Sequence, residues 1–184
     1  MGMNRRSFIK TTSLVMGGIL LPSIPLQAKS YLSIEQARQL LWGDMTMTPV
    51  SVDLTKAQAK AIKKSSKVRV LNNKLQAWKT ENKGWFIVDQ VIGKHENIDL
   101  AVGLTFEGKV KGVEILTYRE SYGHEVMNPK WRGQFHDWRP GQPNNILKLD
   151  REIKNISGAT LSCRHVTDGI NRLTHTWDQV LKYL

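Results

Sequence analysis

The feature that most constrains the fold is a long apolar stripe at the end of the chain. From Cys163 to Leu184, apolar residues recur at steps of three and four, which predicts one helix over about residues 159–183 with a single buried face. Such a helix needs a broad apolar surface to pack against. Cys163 is the only cysteine of the chain and lies on this stripe. We therefore expect it to be a buried apolar residue, and we exclude an intramolecular disulfide and a multi-cysteine metal centre.

The segment before this helix has the composition and alternation of β-strands. Strands are predicted to start at residues 68–71, to cover 84–92, and to form a hairpin from 98–106 and 110–118, whose turn contains Gly108. Because several antiparallel strands in a row are flanked by helices, we predict an α+β fold. Its expected parts are an antiparallel sheet of three to five strands, N-terminal helices and one long C-terminal helix.

Two helices are predicted upstream of the strands. Ser33 and Gln36 have the spacing of a capping box for a helix that ends near Gly43, and a second helix covers about residues 54–65. Five lysines lie along one side of the second helix: Lys56, Lys60, Lys63, Lys64 and Lys67. This lysine face is typical of a solvated helix surface, and also of a docking patch for an acidic surface.

Residues 1–28 have the pattern of an export signal. Arg5 and Arg6 precede a short apolar run at 14–21, and Ala28 offers a small residue for cleavage. The run is too short to span a membrane comfortably. We therefore predict a twin-arginine signal peptide and a periplasmic location. The chain has a formal net charge of +11, to which the predicted signal contributes Arg5, Arg6 and Lys10. For an exported protein, the remaining positive charge favours an anionic membrane face or an acidic redox partner over nucleic acid.

The start of the C-terminal helix carries the most informative motif, Ser157-Gly158-Ala159-Thr160. Ser157 is a good N-cap, and Gly158 lets a ligand approach the backbone closely. The free amides and the positive dipole end of a helix N-terminus suit a phosphate group. The motif therefore indicates either an ordinary capped helix or an anion site. No nucleophile and base are paired around it, so no catalytic residue is predicted.

The same motif resembles the hallmark of FMN-binding domains. That family includes flavin-carrying subunits of the sodium-translocating NADH:quinone oxidoreductase and of the Rnf complex, as well as exported single-domain flavoproteins. Three further segments, residues 84–85, 106–109 and 120–123, resemble family segments in the same order. The resemblance spans about residues 85–184 and implies an N-terminal helical segment at 29–67 followed by an FMN-binding domain at 68–184.

The resemblance also implies how the cofactor is held. In the family, the motif threonine is joined to the FMN phosphate by a phosphoester, which an FMN transferase installs; the matching residue here is Thr160. The implied cofactor-binding residues are Ser157, Gly158, Ala159, Thr160, Leu161 and Ser162 at the helix start and Glu120, Ser121, Tyr122, Gly123 and His124 in the preceding loop. The family motif usually begins with Asp three residues before the serine, where this chain has Lys154.

A flavin ring needs apolar walls and benefits from positive charge near its pyrimidine edge. The candidate walls in the irregular segment 120–145 are Tyr122, Met127, Trp131 and Phe135. The candidate cations are Arg119, Lys130 and Arg132. The five histidines show no ligand spacing, so no metal site is predicted.

The function that these features imply is an electron carrier rather than a stand-alone enzyme. Its FMN would pass electrons between a membrane reductase and another redox protein, and its further partners would be the FMN transferase and a membrane surface. Two alternatives stay open. One is a flavin-dependent reductase of a small substrate with His124 as proton donor. The other is a flavin-free periplasmic docking module that uses the lysine face, which Lys154 in place of the motif Asp favours.

Overall fold

The computed structural model describes residues 29–184, so the predicted signal peptide at 1–28 lies outside the described residues. In chain order the elements are β1 (Lys29–Ser30), α1 (Ile34–Trp42), β2 (Met47–Asp53), α2 (Lys56–Ser66), β3 (Lys74–Thr80), β4 (Trp85–Ile92), β5 (Asn97–Leu104), β6 (Val110–Tyr118), α3 (Pro129–Arg132) and α4 (Thr160–Gln179). Short 3-10 turns stand at His124–Met127, Gly133–Phe135 and Leu181–Tyr183. Among residues 29–184, no helix is long and apolar enough to cross a membrane.

The strands form one antiparallel sheet in the order β1-β6-β5-β4-β3-β2. Five strands are long, and the two-residue β1 extends the edge beside β6. With its N-terminal helices and long C-terminal helix, the chain has the predicted α+β fold. Two strands were missed within the segment 29–67, which was expected to be helical: the two-residue β1 and the edge strand β2, which pairs with β3 along its whole length. This edge strand contains Pro49 and is mostly exposed, so its apolar signal is weak.

Both N-terminal helices are held by local capping. Ser33 and Gln36 form the predicted capping box, with hydrogen bonds of 3.1 and 2.8 Å. In α2 the same arrangement is made by Thr55 and Gln58. This helix ends at Lys67, whose backbone is left-handed, and the chain then runs irregularly to the start of β3. The strand predicted at residues 68–71 was therefore wrong, because the left-handed turn at Lys67 redirects the chain.

The predicted apolar stripe of α4 packs on the sheet. Its members from Cys163 to Val180 are buried against β4, β5 and β6, as the spacing predicted. Gly169 is required by this close contact, since a Cβ there would lie 2.7 Å from a methyl group of Val91. Cys163 has no exposed surface, and burial raises the pKa of its thiol. It is thus the buried apolar residue that was predicted.

The other face of the sheet is covered in part by α1. Leu41 and Trp42 of that helix pack against Phe86, Ala101 and Leu116 on the sheet. The sheet therefore lies between α1 on one side and α4, with α2 beside it, on the other.

A buried ion pair joins α4 to the sheet. The Arg172 guanidinium, 7% exposed, lies 2.6 Å from a carboxylate oxygen of Asp89 on β4. It also donates to the backbone carbonyl of Gln90. These bonds fix the helix, and with it the position of its first turn, relative to the ends of the strands.

Candidate functional site

The sheet topology brings three segments together at one end. The register pairs Ile92 with Asn97 and Ile98 with Tyr118, so the turn after β4 and the segment after β6 lie at the same end of the sheet. The start of α4 meets them there. The Tyr118 hydroxyl is 2.8 Å from the Ser162 hydroxyl and donates to the backbone carbonyl of Tyr122 at 2.5 Å.

A cavity of about 540 Å³ lies between these three segments. Its lining residues are Lys94, His95, Glu120, Ser121, Tyr122, Gly158, Ala159, Thr160, Leu161 and Ser162. The volume falls within the range of about 300–1,000 Å³ that is typical of small-molecule sites. Eight of the eleven predicted cofactor-binding residues line this cavity. The three that do not are Ser157, Gly123 and His124.

A larger groove of about 630 Å³ lies on the α1 face of the sheet, between β3 and β6. It is lined by strand residues, by the 71–75 segment and by the start of α1, whose amides are already capped by Ser33. The smaller cavity instead contains an uncapped helix start, which is the feature that an anionic ligand requires. We therefore assign the candidate site to the cavity at α4.

The first turn of α4 is arranged differently from the prediction. The N-cap residue is Ala159, and no side chain of the described residues caps the helix. Ser157 is not the N-cap because Gly158, with φ of +86°, turns the chain, and the amide of Ala159 donates back to Ile156. The amides of Thr160 and its two successors therefore have no capping side chain and stand at the positive end of a 20-residue helix.

Gly123 supports the site from behind. It has φ of +88°, and a Cβ there would lie 2.6 Å from the Tyr118 hydroxyl and 2.9 Å from the Ser162 hydroxyl. The absence of a side chain thus lets the loop after β6 pack tightly against the start of α4. Burial raises the pKa of the Tyr118 phenol, although its hydrogen bond with Ser162 acts in the opposite direction. Tyr118 therefore remains a neutral hydrogen-bonding group that fixes the Ser162 hydroxyl.

Glu120 contacts the turn between β4 and β5. Its carboxylate accepts hydrogen bonds from the backbone amides of His95 at 2.5 Å and Glu96 at 3.0 Å. Burial alone would raise the pKa of this carboxyl group, but the backbone donors of residues 94–96 outweigh burial and lower it. Glu120 is therefore a charged acceptor that closes the turn.

Sequence reasoning missed two residues of the cavity, Lys94 and His95. Both have exposed side chains on the turn that Glu120 closes. They follow β4 directly, so the antiparallel topology itself places them beside the segment after β6. Their position beside the cavity can be predicted only when the pairing of β4 with β5 and of β5 with β6 is already known.

Three of the four predicted ring walls belong to the core. Trp131 and Phe135 are buried and meet edge to face with ring centroids 5.3 Å apart. The Trp131 indole donates to the carbonyl of Lys154 at 2.7 Å, and Met127 packs against the same core. Only Tyr122 lines the cavity, and its side chain is 83% exposed.

The cations predicted near a flavin ring are also elsewhere. Arg119 pairs with Asp99 at 2.6 Å, and Arg132 pairs with Glu114 at 2.5 Å. Lys130 is exposed on α3 and does not line the cavity. None of the three lines the cavity, and the two arginines form ion pairs with acidic strand residues. The positive charge at the cavity comes from Lys94 on the turn after β4 and from the start of α4.

The cavity fits a phosphorylated, three-ring ligand. The uncapped amides of α4 match a phosphate, and a Cβ on Gly158 would meet nothing within 4 Å, so there is open space beside the helix start. Thr160 lines the cavity at the first helical residue and is half-buried. Its hydroxyl is therefore on the wall where such a phosphate would lie.

Comparison with known proteins agrees with this geometry. The sequence model of the FMN-binding domain family matches residues 93–175. The match begins at the turn after β4, continues through the loop after β6, and includes the first turns of α4. No curated protein matches the chain. Residues 93–175, which include every residue that lines the cavity, therefore match the FMN-binding domain family.

Proposed function

We propose that this chain is an exported electron-transfer flavoprotein whose FMN is joined to Thr160 by a phosphoester. The single observation that carries the proposal is the cavity between the uncapped start of α4 and the segments after β4 and β6, which lies within the matched FMN-binding domain. Bound FMN supplies reversible one- and two-electron transfer. The residues of this chain hold it, shield part of it from water and set the charge around it.

Attachment at Thr160 suits the geometry of the helix start. A phosphate bonded to its Oγ atom would lie beside the amides of Thr160, Leu161 and Ser162, which would donate to the remaining phosphate oxygens. The transferase forms the bond from Oγ to the FMN phosphorus by breaking the pyrophosphate P–O bond of a flavin dinucleotide; the nucleoside monophosphate leaves, and the hydroxyl proton passes to a base or to water. The protein gains the mass of FMN less one water molecule. A covalent bond would keep the cofactor on a protein whose cavity is open to solvent.

The openness of the cavity supports a carrier. Tyr122 and Leu161 line it and are 83% and 39% exposed, so a cofactor edge would lie close to the protein surface. A cofactor at the surface can exchange electrons with another protein, whereas a reductase needs an enclosed substrate pocket and a proton donor. The donor considered for that alternative, His124, is exposed and does not line the cavity. The geometry therefore favours electron transfer over substrate reduction.

Export, the partners and the location are further parts of the proposal. The twin-arginine pattern in residues 1–28 supports a periplasmic location, with an FMN transferase as the attaching enzyme and a membrane reductase as the electron donor. All five lysines of the lysine face are exposed, as a docking face for an acidic partner or an anionic membrane requires.

The attachment is tested by co-producing the protein with an FMN transferase and measuring flavin fluorescence in a denaturing gel. We expect fluorescence in the wild type and none in Thr160→Ala. Ser157→Ala is the matched control, since it removes a hydroxyl three residues away that does not line the cavity. Fluorescence that survives Thr160→Ala would overturn the attachment.

The choice between carrier and reductase is tested with the loaded, chemically reduced protein. We expect rapid reoxidation by an oxidised redox protein and no sustained turnover of small soluble acceptors. His124→Ala should leave the reoxidation rate unchanged. Sustained turnover of a small acceptor that His124→Ala abolishes would establish the reductase instead.

A further inference from the structure

We propose that Glu120 is a positioning residue that holds the turn with Lys94 beside the flavin, so that the positive charge of Lys94 favours its reduced form. This inference rests on the proposed function and goes beyond it, since it assigns the residues that set the reduction potential. It concerns a turn on which sequence analysis placed no site residue.

The first step of the argument is the construction of the turn. The amide of Gly93 donates to the Glu96 carbonyl at 2.7 Å, and the Glu120 carboxylate accepts from the amides of His95 and Glu96. A Cβ on Gly93 would lie 2.5 Å from the nearer Glu120 oxygen, so glycine is needed for the carboxylate to approach. The turn is thus held by one backbone hydrogen bond of its own and by two hydrogen bonds to the Glu120 carboxylate.

The second step is the position of the turn in the cavity. The start of α4 offers backbone amides to a phosphate, and the turn after β4 stands on another wall of the same cavity. A ligand that fills the cavity from the start of α4 would therefore also meet the turn after β4. Lys94 and His95 are the basic side chains of the cavity lining, and the acidic groups beside them are Glu96 and Glu120.

The third step is electrostatic. A positive charge near the ring stabilises reduced, anionic flavin and raises the reduction potential. The charge of Glu120 itself would do the opposite. The two roles of Glu120 therefore predict opposite changes in the reduction potential. Removing Glu120 raises the potential if only its charge matters, and lowers the potential if it acts by holding Lys94.

The test is the midpoint potential of the flavin-loaded protein. For Lys94→Gln we expect the ratio of affinities for reduced over oxidised FMN to fall about tenfold, which corresponds to about 30 mV for a two-electron couple. Lys130→Gln is the matched control, since Lys130 is exposed but lies outside the cavity, and it should leave the potential unchanged.

Glu120→Ala tests the positioning role. We expect it to lower the potential in the wild-type background and not in the Lys94→Gln background. Hydrogen exchange of the His95 and Glu96 amides should also be faster in Glu120→Ala, which can be measured without the cofactor. An unchanged potential in Lys94→Gln, or an unchanged or raised potential in Glu120→Ala, would overturn the inference while leaving the proposed function intact. A protein that binds no FMN at all would overturn the proposed function itself.

Discussion

Replacing Gly123 by alanine should destabilise the protein and disturb the cavity at the start of α4. The residue has φ of +88°, where a side chain costs about 1–2 kcal/mol. The new Cβ would also lie 2.6 Å from the Tyr118 hydroxyl and 2.9 Å from that of Ser162, and overpacking of this kind costs about 1–3 kcal/mol. We therefore expect the free energy of unfolding to fall by about 2–5 kcal/mol.

Gly141→Ala separates these two effects. Gly141 also has a positive φ, of +68°, but a Cβ there meets nothing within 4 Å, so only the backbone strain applies. Urea unfolding of both FMN-free variants gives the difference between their free energies of unfolding. FMN titration shows whether displacement of the Tyr118 and Ser162 side chains weakens FMN binding. Gly123→Ala should be the less stable variant and the weaker FMN binder. Equal stabilities would refute the packing account of this glycine.

Three further substitutions test other parts of the structure. Trp131→Phe removes the hydrogen bond to the Lys154 carbonyl and should lower the free energy of unfolding in urea by about 1–3 kcal/mol. FMN affinity should not change. A large loss of FMN affinity would instead show that Trp131 is a wall of the cavity. Asp89→Ala leaves the buried Arg172 guanidinium without its carboxylate and should cost about 3–5 kcal/mol in the same assay, whereas a near-neutral result would contradict the role of this pair. Because the pKa of Glu120 is lowered on folding, its stabilisation is present above the ordinary carboxyl pKa and is lost as pH falls through the lowered value. As the pH falls through the ordinary carboxyl pKa and below it, Glu120→Gln should therefore lose less stability than the wild type. Identical pH profiles would show that Glu120 does not contribute.

The elements that could be predicted from the sequence are those with strong apolar patterns. The stripe from Cys163 to Val180 predicted both the approximate length of α4 and its buried face. The apolar pattern of the strands predicted β4 and the hairpin of β5 and β6. Strand β2 lacked such a pattern because it is an exposed edge strand that depends on pairing with β3. Because β2 is stabilised by its pairing with β3, the strand could not be inferred from its own residues.

The site was predictable in part, for a related reason. Thr160 and the loop at Glu120 were found through local motifs. Lys94 and His95 were not, since they reach the cavity only through the order of the strands. Trp131 was assigned to the cavity because aromatic composition alone does not distinguish a core side chain from a ligand wall.

The most direct test of the central claim is hydrogen exchange of the protein with and without FMN, read by mass spectrometry along the chain. The account predicts slower exchange on FMN binding at residues 93–96, 120–123 and 157–162, with little change elsewhere in 29–184. Protection confined to the groove between β3 and β6 on the α1 face, or no local protection at the start of α4, would contradict it.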